Sequence, residues 1–80
     1  MPLNELEDRI TELLREELPD IDFSQSQTMA DDGLLDSLAL TKIISALVME
    51  FDVVIPYEDI RREHFNSSRT MAELVNRLSK

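Results

Sequence analysis

The residues that could do chemistry are few. Asp31, Asp32 and Asp36 crowd one stretch and Ser37 follows directly; the chain has one histidine, His64, and no cysteine. Carboxylates around Gly33 suggest a calcium loop. Placing Gly33 at the sixth position of an EF-hand puts Thr28 first and Ala39 twelfth; neither is a carboxylate, so the pattern fails. A single histidine cannot build a multi-histidine metal site, and its place in the chain is that of a surface or half-buried residue. Without cysteine there is no disulfide, thiolate ligand or thiol nucleophile. Gly33 is the only glycine, which rules out a phosphate loop, a dinucleotide fingerprint and a Gly-x-Ser-x-Gly elbow. Paired carboxylates could serve a hydrolase, but no deep fold is available here to drive their acidities apart, so the acids read as solvated surface. What remains is Asp36-Ser37-Leu38.

Three segments of helical periodicity must position that tripeptide. In the first, Leu3, Leu6, Ile10, Leu13, Leu14 and Leu18 lie along one stripe, with Glu5, Asp8, Glu12 and Glu16 opposite. Asn4 with Glu7 reads as a capping box, and Pro19 ends the run, predicting a helix over about Glu5 to Leu18. Residues 19 to 36 have loop chemistry, with Ile21, Phe23, Met29, Leu34 and Leu35 as apolar anchors; a loop this long in a small domain calls for a functional reason. The second helix is predicted over Ser37 to Phe51. Leu40, Ile43, Ile44, Leu47, Val48 and Phe51 form its inward stripe, while Leu38, Lys42, Ser45 and Met49 fall on the far side. Val53-Val54-Ile55 has no second strand to pair with and reads as a packed connection. Tyr57 to Arg62 is predicted to make one or two helical turns, and Phe65 an anchor. Asn66-Ser67-Ser68 reads as a turn, and Thr70 with Glu73 as a second capping box ahead of Met71, Leu74, Val75 and Leu78. The expected fold is all-α: a four-helix bundle with three main helices, one short third helix and a long first loop, forming one domain over residues 1–80.

Asp36 and Ser37 therefore sit at the N-terminus of the second helix. Both are ordinary capping residues, and capping alone would account for an isolated pair. The place also has chemical value. A phosphate ester on an exposed Ser37 would face unpaired backbone amides and the positive end of the helix dipole. No base is placed to activate the hydroxyl, so Ser37 reads as an acceptor for another enzyme rather than a nucleophile of its own.

Eighty residues leave room for one core, and 42% hydrophobic composition is enough to build it. No apolar run approaches the roughly 18 residues of a membrane span. The start of the chain has no basic region or apolar run of a secretory signal, so the cytoplasm is the expected location. With 8 basic and 17 acidic residues the net charge is −9. Phosphate backbones and anionic membranes would be repelled, whereas a basic protein surface would be attracted. The same charge favours a soluble monomer.

Gly33-Leu34-Leu35-Asp36-Ser37-Leu38, the amphipathic helix after it, and Glu50-Phe51-Asp52-Val53-Val54-Ile55-Pro56 together resemble the acyl carrier protein superfamily, over nearly the whole chain. The resemblance implies that Ser37 receives 4'-phosphopantetheine from coenzyme A through a phosphopantetheinyl transferase, with Asp36 helping to position that reaction. The thiol of the arm would carry acyl or aminoacyl groups as thioesters, from a loading ligase to a downstream acyltransferase or synthase, and the chain itself would catalyse nothing. Leu38, Lys42, Ser45 and Met49 would meet these partners.

Two departures from the fatty-acid carriers narrow the resemblance. Two residues, rather than one, separate Gly33 from Asp36. Lys42, Val48 and Met49 stand where an acid-rich second helix is expected, leaving Glu50 as its only carboxylate. In these features, and in the stretch from Pro56 to Thr70, the chain is more similar to D-alanyl and other stand-alone aminoacyl or peptidyl carriers. Glu58, Asp59 and Glu63 suggest that recognition charge has moved to the short helix, with Glu58 and Asp59 in contact with partners. The competing expectation is a small acidic helical interaction module without a prosthetic group, in which Ser37 is only a cap.

Overall fold

The computed structural model describes residues 2–21, 33 and 35–79. Three α-helices, α1 (Leu3–Glu17), α2 (Ser37–Phe51) and α3 (Ser68–Leu78), occur in chain order, with two 3-10 turns, Tyr57–Asp59 and Arg62–His64, between the second and third. There is no strand among the described residues. The all-α expectation holds, and the short third helical element is this pair of 3-10 turns.

The α1 stripe is inward as expected: Leu6, Ile10, Leu13, Leu14 and Leu18 are buried, and Leu3 packs against them. Pro19 terminates the helix at Glu17. Leu18, forced off helical geometry by the following proline, still closes the last turn by donating to the Leu14 carbonyl at 2.9 Å. The expected capping box of Asn4 and Glu7 does not form. The Pro2 carbonyl accepts from the amides of Glu5 and Leu6, both at 3.1 Å, so the helix starts two residues earlier and its N-cap uses no side chain. Asn4 and Glu7 instead both receive Arg69 of α3, at 3.4 Å each. Thr11 ties the same two helices, donating to Ser68 Oγ at 2.8 Å.

α1 packs against both α3 and α2, and so acts as the frame of the bundle. The inner line of α2 is Ala39, Ile43 and Leu47, all buried, flanked by the partly buried Leu40, Ile44 and Phe51; Val48 is only half-buried. Arg9 of α1 reaches across to Glu50 of α2 at 2.8 Å, while also bonding Glu12 at 2.9 Å. The guanidinium hydrogen bond holds the Glu50 carboxyl below its ordinary range. α2 ends on Asp52, whose φ of 52° and ψ of 48° put a non-glycine residue in the left-handed region that short polar side chains tolerate.

Beyond α2, Val53 is buried and Val54 exposed, so the connection alternates without pairing. Pro56 opens the first 3-10 turn, closed by Asp59 and Ile60 amides to the carbonyls of Pro56 and Tyr57. Phe65, which follows the second turn, has no exposed surface and anchors the segment in the core. The third helix begins a turn earlier than the expected Thr70–Glu73 capping box. Ser67 is the N-cap: its hydroxyl accepts from the Thr70 amide at 3.1 Å, and Thr70 Oγ1 accepts from the Ser67 amide at 3.1 Å. Starting at Ser68 puts Met71 inside the helix, where it is fully buried with Ala72 and Val75.

Two outcomes follow from this packing. Phe65→Ala is expected to lower the free energy of unfolding by about 3–5 kcal/mol, read from urea denaturation, because it empties a closed site. The Arg9–Glu50 link adds stability above the ordinary glutamate range, and this fades as pH falls through the lowered Glu50 value. Arg9→Gln should therefore lower the unfolding midpoint at neutral pH and flatten its decline in acid; an unchanged acid profile would show that the link contributes nothing.

Candidate functional site

Three consecutive residues divide the work at the start of α2. Leu35 is buried in the core and anchors the chain directly ahead of the helix. Asp36, in extended geometry, is the N-cap: its Oδ1 accepts from the Ala39 amide at 2.8 Å and its carbonyl from the Leu40 amide at 2.9 Å. Ser37 is the first residue of the helix and is exposed. Its carbonyl accepts from Thr41 Oγ1 at 2.8 Å, a bond that leaves the Ser37 hydroxyl uninvolved. Upstream, Gly33 has a φ of +79°, and a Cβ there would meet nothing within 4 Å. Its requirement for glycine is conformational rather than steric.

The surroundings of the hydroxyl suit an anion. The first turn of α2 carries no acidic residue, its leading amides are at the positive end of the helix dipole, and the carboxylate of the preceding residue, Asp36, is engaged with the Ala39 amide. Beside the serine, the end of α1 and the start of α2 border a groove of about 220 Å³ whose lining includes Leu18, Ile21, Leu38 and Ala39 as well as Glu17, Asp20 and Lys42. Sequence periodicity gave no sign of it, because its two walls are about twenty residues apart in the chain.

The far face of α2 is arranged as its spacing implied. Leu38 and Met49 are 66% and 84% exposed, and Lys42 and Ser45 between them are also exposed. With Glu50 bonded to Arg9, the helix offers a partner no unengaged carboxylate. The two acids assigned to the short element differ. Glu58 is exposed, whereas the Asp59 side chain is 17% exposed and accepts from Arg77 Nη2 at 2.8 Å, with half-buried His64 Nε2 at 3.9 Å. Asp59 thus ties the first 3-10 turn to α3. Val54 and Tyr57, 81% and 88% exposed, both precede Glu58 in the chain and lie outside the expected site residues. Of the acidic cluster, Asp31 and Asp32 lie outside the described residues, as do the loop anchors Phe23, Met29 and Leu34. No group of metal-ligating side chains occurs among the described residues.

With this geometry in place, comparison with known families decides the larger question. The family described as "Phosphopantetheine attachment site" matches residues 4–78. The chain belongs to that family. It is a carrier protein of the phosphopantetheine-bearing superfamily, and its prosthetic group is covalently attached 4'-phosphopantetheine. Domains of the family carry their group and are not enzymes. No curated protein matches the chain. No helix among the described residues is long and apolar enough to cross a membrane.

The residues present fit the group: an exposed hydroxyl, a first helical turn without acids, and a neighbouring groove. Asp36→Ala should cost about 1 kcal/mol of stability by removing the cap, while Asp36→Asn should cost little, since Asn caps as well as Asp. Equal losses in urea denaturation would show that the carboxylate charge, rather than the cap bond, matters there.

Proposed function

We propose that Ser37 bears the 4'-phosphopantetheine and that the chain shuttles acyl or aminoacyl groups between partner enzymes. The observation that carries this reading is the placement of Ser37: exposed, on the first residue of α2, directly after a capped Asp36. In the attachment, a phosphopantetheinyl transferase would remove the hydroxyl proton. Ser37 Oγ would form a P–O bond to the β-phosphorus of coenzyme A as the pyrophosphate P–O bond breaks and adenosine 3',5'-bisphosphate leaves. The arm supplies a terminal thiol, which takes cargo as a thioester. The chain's own part is to present the hydroxyl on a helical turn that carries no acidic residue, and to offer a docking face. Asp36 serves the transferase reaction through the cap, which fixes the orientation of Ser37.

The subtype is proposed to be a stand-alone aminoacyl or peptidyl carrier of the D-alanyl kind. Two features support it: the Gly-Leu-Leu-Asp-Ser spacing, and an α2 whose one acid is engaged by Arg9. Partners would be the transferase, a loading ligase and a downstream acyltransferase or synthase. They would meet Leu38, Lys42, Ser45 and Met49, with Glu58 supplying recognition charge. The role of Asp59 would be to hold Glu58 in place through Arg77. We propose a cytoplasmic location and a monomeric state.

Incubation with coenzyme A and a broad-specificity phosphopantetheinyl transferase should add one phosphopantetheinyl group to the intact mass, and none to Ser37→Ala. Addition to the alanine variant would move the site elsewhere. For loading by the cognate ligase, Glu58→Lys should raise KM roughly three- to tenfold with stability unchanged. Asp59→Asn should instead lower stability by about 1 kcal/mol. If Glu58→Lys leaves KM unaltered, the recognition charge is not on the 3-10 segment.

A further inference from the structure

We infer that Arg9, on α1, selects among partners by withholding the Glu50 carboxylate from the docking face of α2. This rests on that face, and on the attachment at Ser37, as proposed above. α2 contains two ionisable residues, Lys42 and Glu50. Glu50 directly follows the exposed Met49, about 100° further round the helix. A free carboxylate there would stand at the edge of the face. Instead, Arg9 Nη2 donates to Glu50 Oε1 at 2.8 Å. The guanidinium is itself fixed from its own helix: Nη1 donates to Glu12 at 2.9 Å and lies 3.9 Å from Glu16. Arg9 and Glu50 are the most sheltered side chains of this network.

A surface ion pair of this kind adds little to stability. Its effect on recognition is of another kind, because a charge at the rim of an interface governs encounter and its dependence on salt. With Glu50 neutralised by Arg9, the charge that α2 shows a partner is that of Lys42. A partner whose basic groups are ranged along α2 meets a like charge and no counterpart, and is disfavoured. A partner that lays an apolar surface on Leu38 and Met49 and sets its basic group against Glu58 is unaffected. Arg9 thus moves the acidic end of recognition off α2 and onto the first 3-10 turn. It is a positioning residue, acting through Glu50.

The test is steady-state phosphopantetheinylation by a transferase with a basic docking surface, well below the unfolding midpoint of every variant. It is run at low ionic strength and again at about 0.5 M salt, where screening shortens to a few Å. At low salt Arg9→Gln should lower KM roughly three- to fivefold at equal kcat, and at high salt the difference should vanish. Adding Glu50→Gln to Arg9→Gln should return KM to the wild-type value, which a merely structural role of Arg9 would not do. Arg15→Gln removes the same charge from an exposed position on α1 and should change KM by less than about twofold. An Arg9→Gln variant with the wild-type KM, or a lowered KM that survives Glu50→Gln, overturns the role of Arg9 alone. If Lys42→Glu, which puts a carboxylate on the face itself, also leaves KM unchanged, the docking face falls and the role of Arg9 with it. A wild type that accepts no phosphopantetheinyl group, or a Ser37→Ala variant that accepts one, overturns the attachment at Ser37 as well.

Discussion

The 2.8 Å bond from the Ala39 amide to Asp36 Oδ1 is the constraint on which the site depends. It sets where α2 begins, and so makes Ser37 its first residue. One residue earlier, the serine would be the cap and its oxygen would turn inward to the helix amides. One residue later, it would lie on the helix wall, away from the positive end of the dipole. Leu35, buried in the core next to the cap, secures the bond from the core side. A carrier needs its hydroxyl open to another enzyme's active site, yet attached to something stiff. With the attachment proposed at Ser37, core anchor, cap and exposed serine in three successive positions would meet both needs.

The rest of the bundle serves to hold α2. α1 lies against both other helices and is linked to α2 by Arg9 and to α3 by Thr11 and Arg69. Most of these links are exposed ion pairs or single hydrogen bonds, each a minor contributor beside the burial of Ile10, Leu14, Phe65, Met71 and Val75. Their larger consequence is electrostatic. By engaging Glu50, Arg9 leaves α2 with an apolar and weakly cationic outer face in a protein of net charge −9. On the proposed docking face, long-range attraction to a basic partner and close fit on α2 would be separate matters: the acidic surface would provide the first, and Leu38 and Met49 the second.

How far the sequence could be read varied with how local each feature is. The limits of α2 were legible because its cap, its inward stripe and its end at Phe51 are all marked by neighbouring residues. The start of α1 was not, because its cap is the Pro2 backbone, while the Asn4 and Glu7 pair that mimics a capping box is bound to Arg69. The start of α3 was displaced by one turn because Ser67–Thr70 and Thr70–Glu73 both have the required spacing, and the reciprocal bonds form at Ser67–Thr70. The different situations of Glu58 and Asp59 depend on Arg77, 18 residues away from Asp59. The groove beside Ser37 likewise needs two helices in place. Asp36 as the cap and Ser37 as the first residue of α2 were visible from spacing, whereas the surfaces around them arise from tertiary packing.

The most direct measurement is to purify the protein from the cells that make it, digest it, and fragment the peptide that contains Asp36-Ser37-Leu38. This account predicts a phosphopantetheinyl group localised by the fragment ions to Ser37, released as pantetheine-bearing ions on activation. The same peptide recovered wholly unmodified, with the group on a different residue, would contradict it.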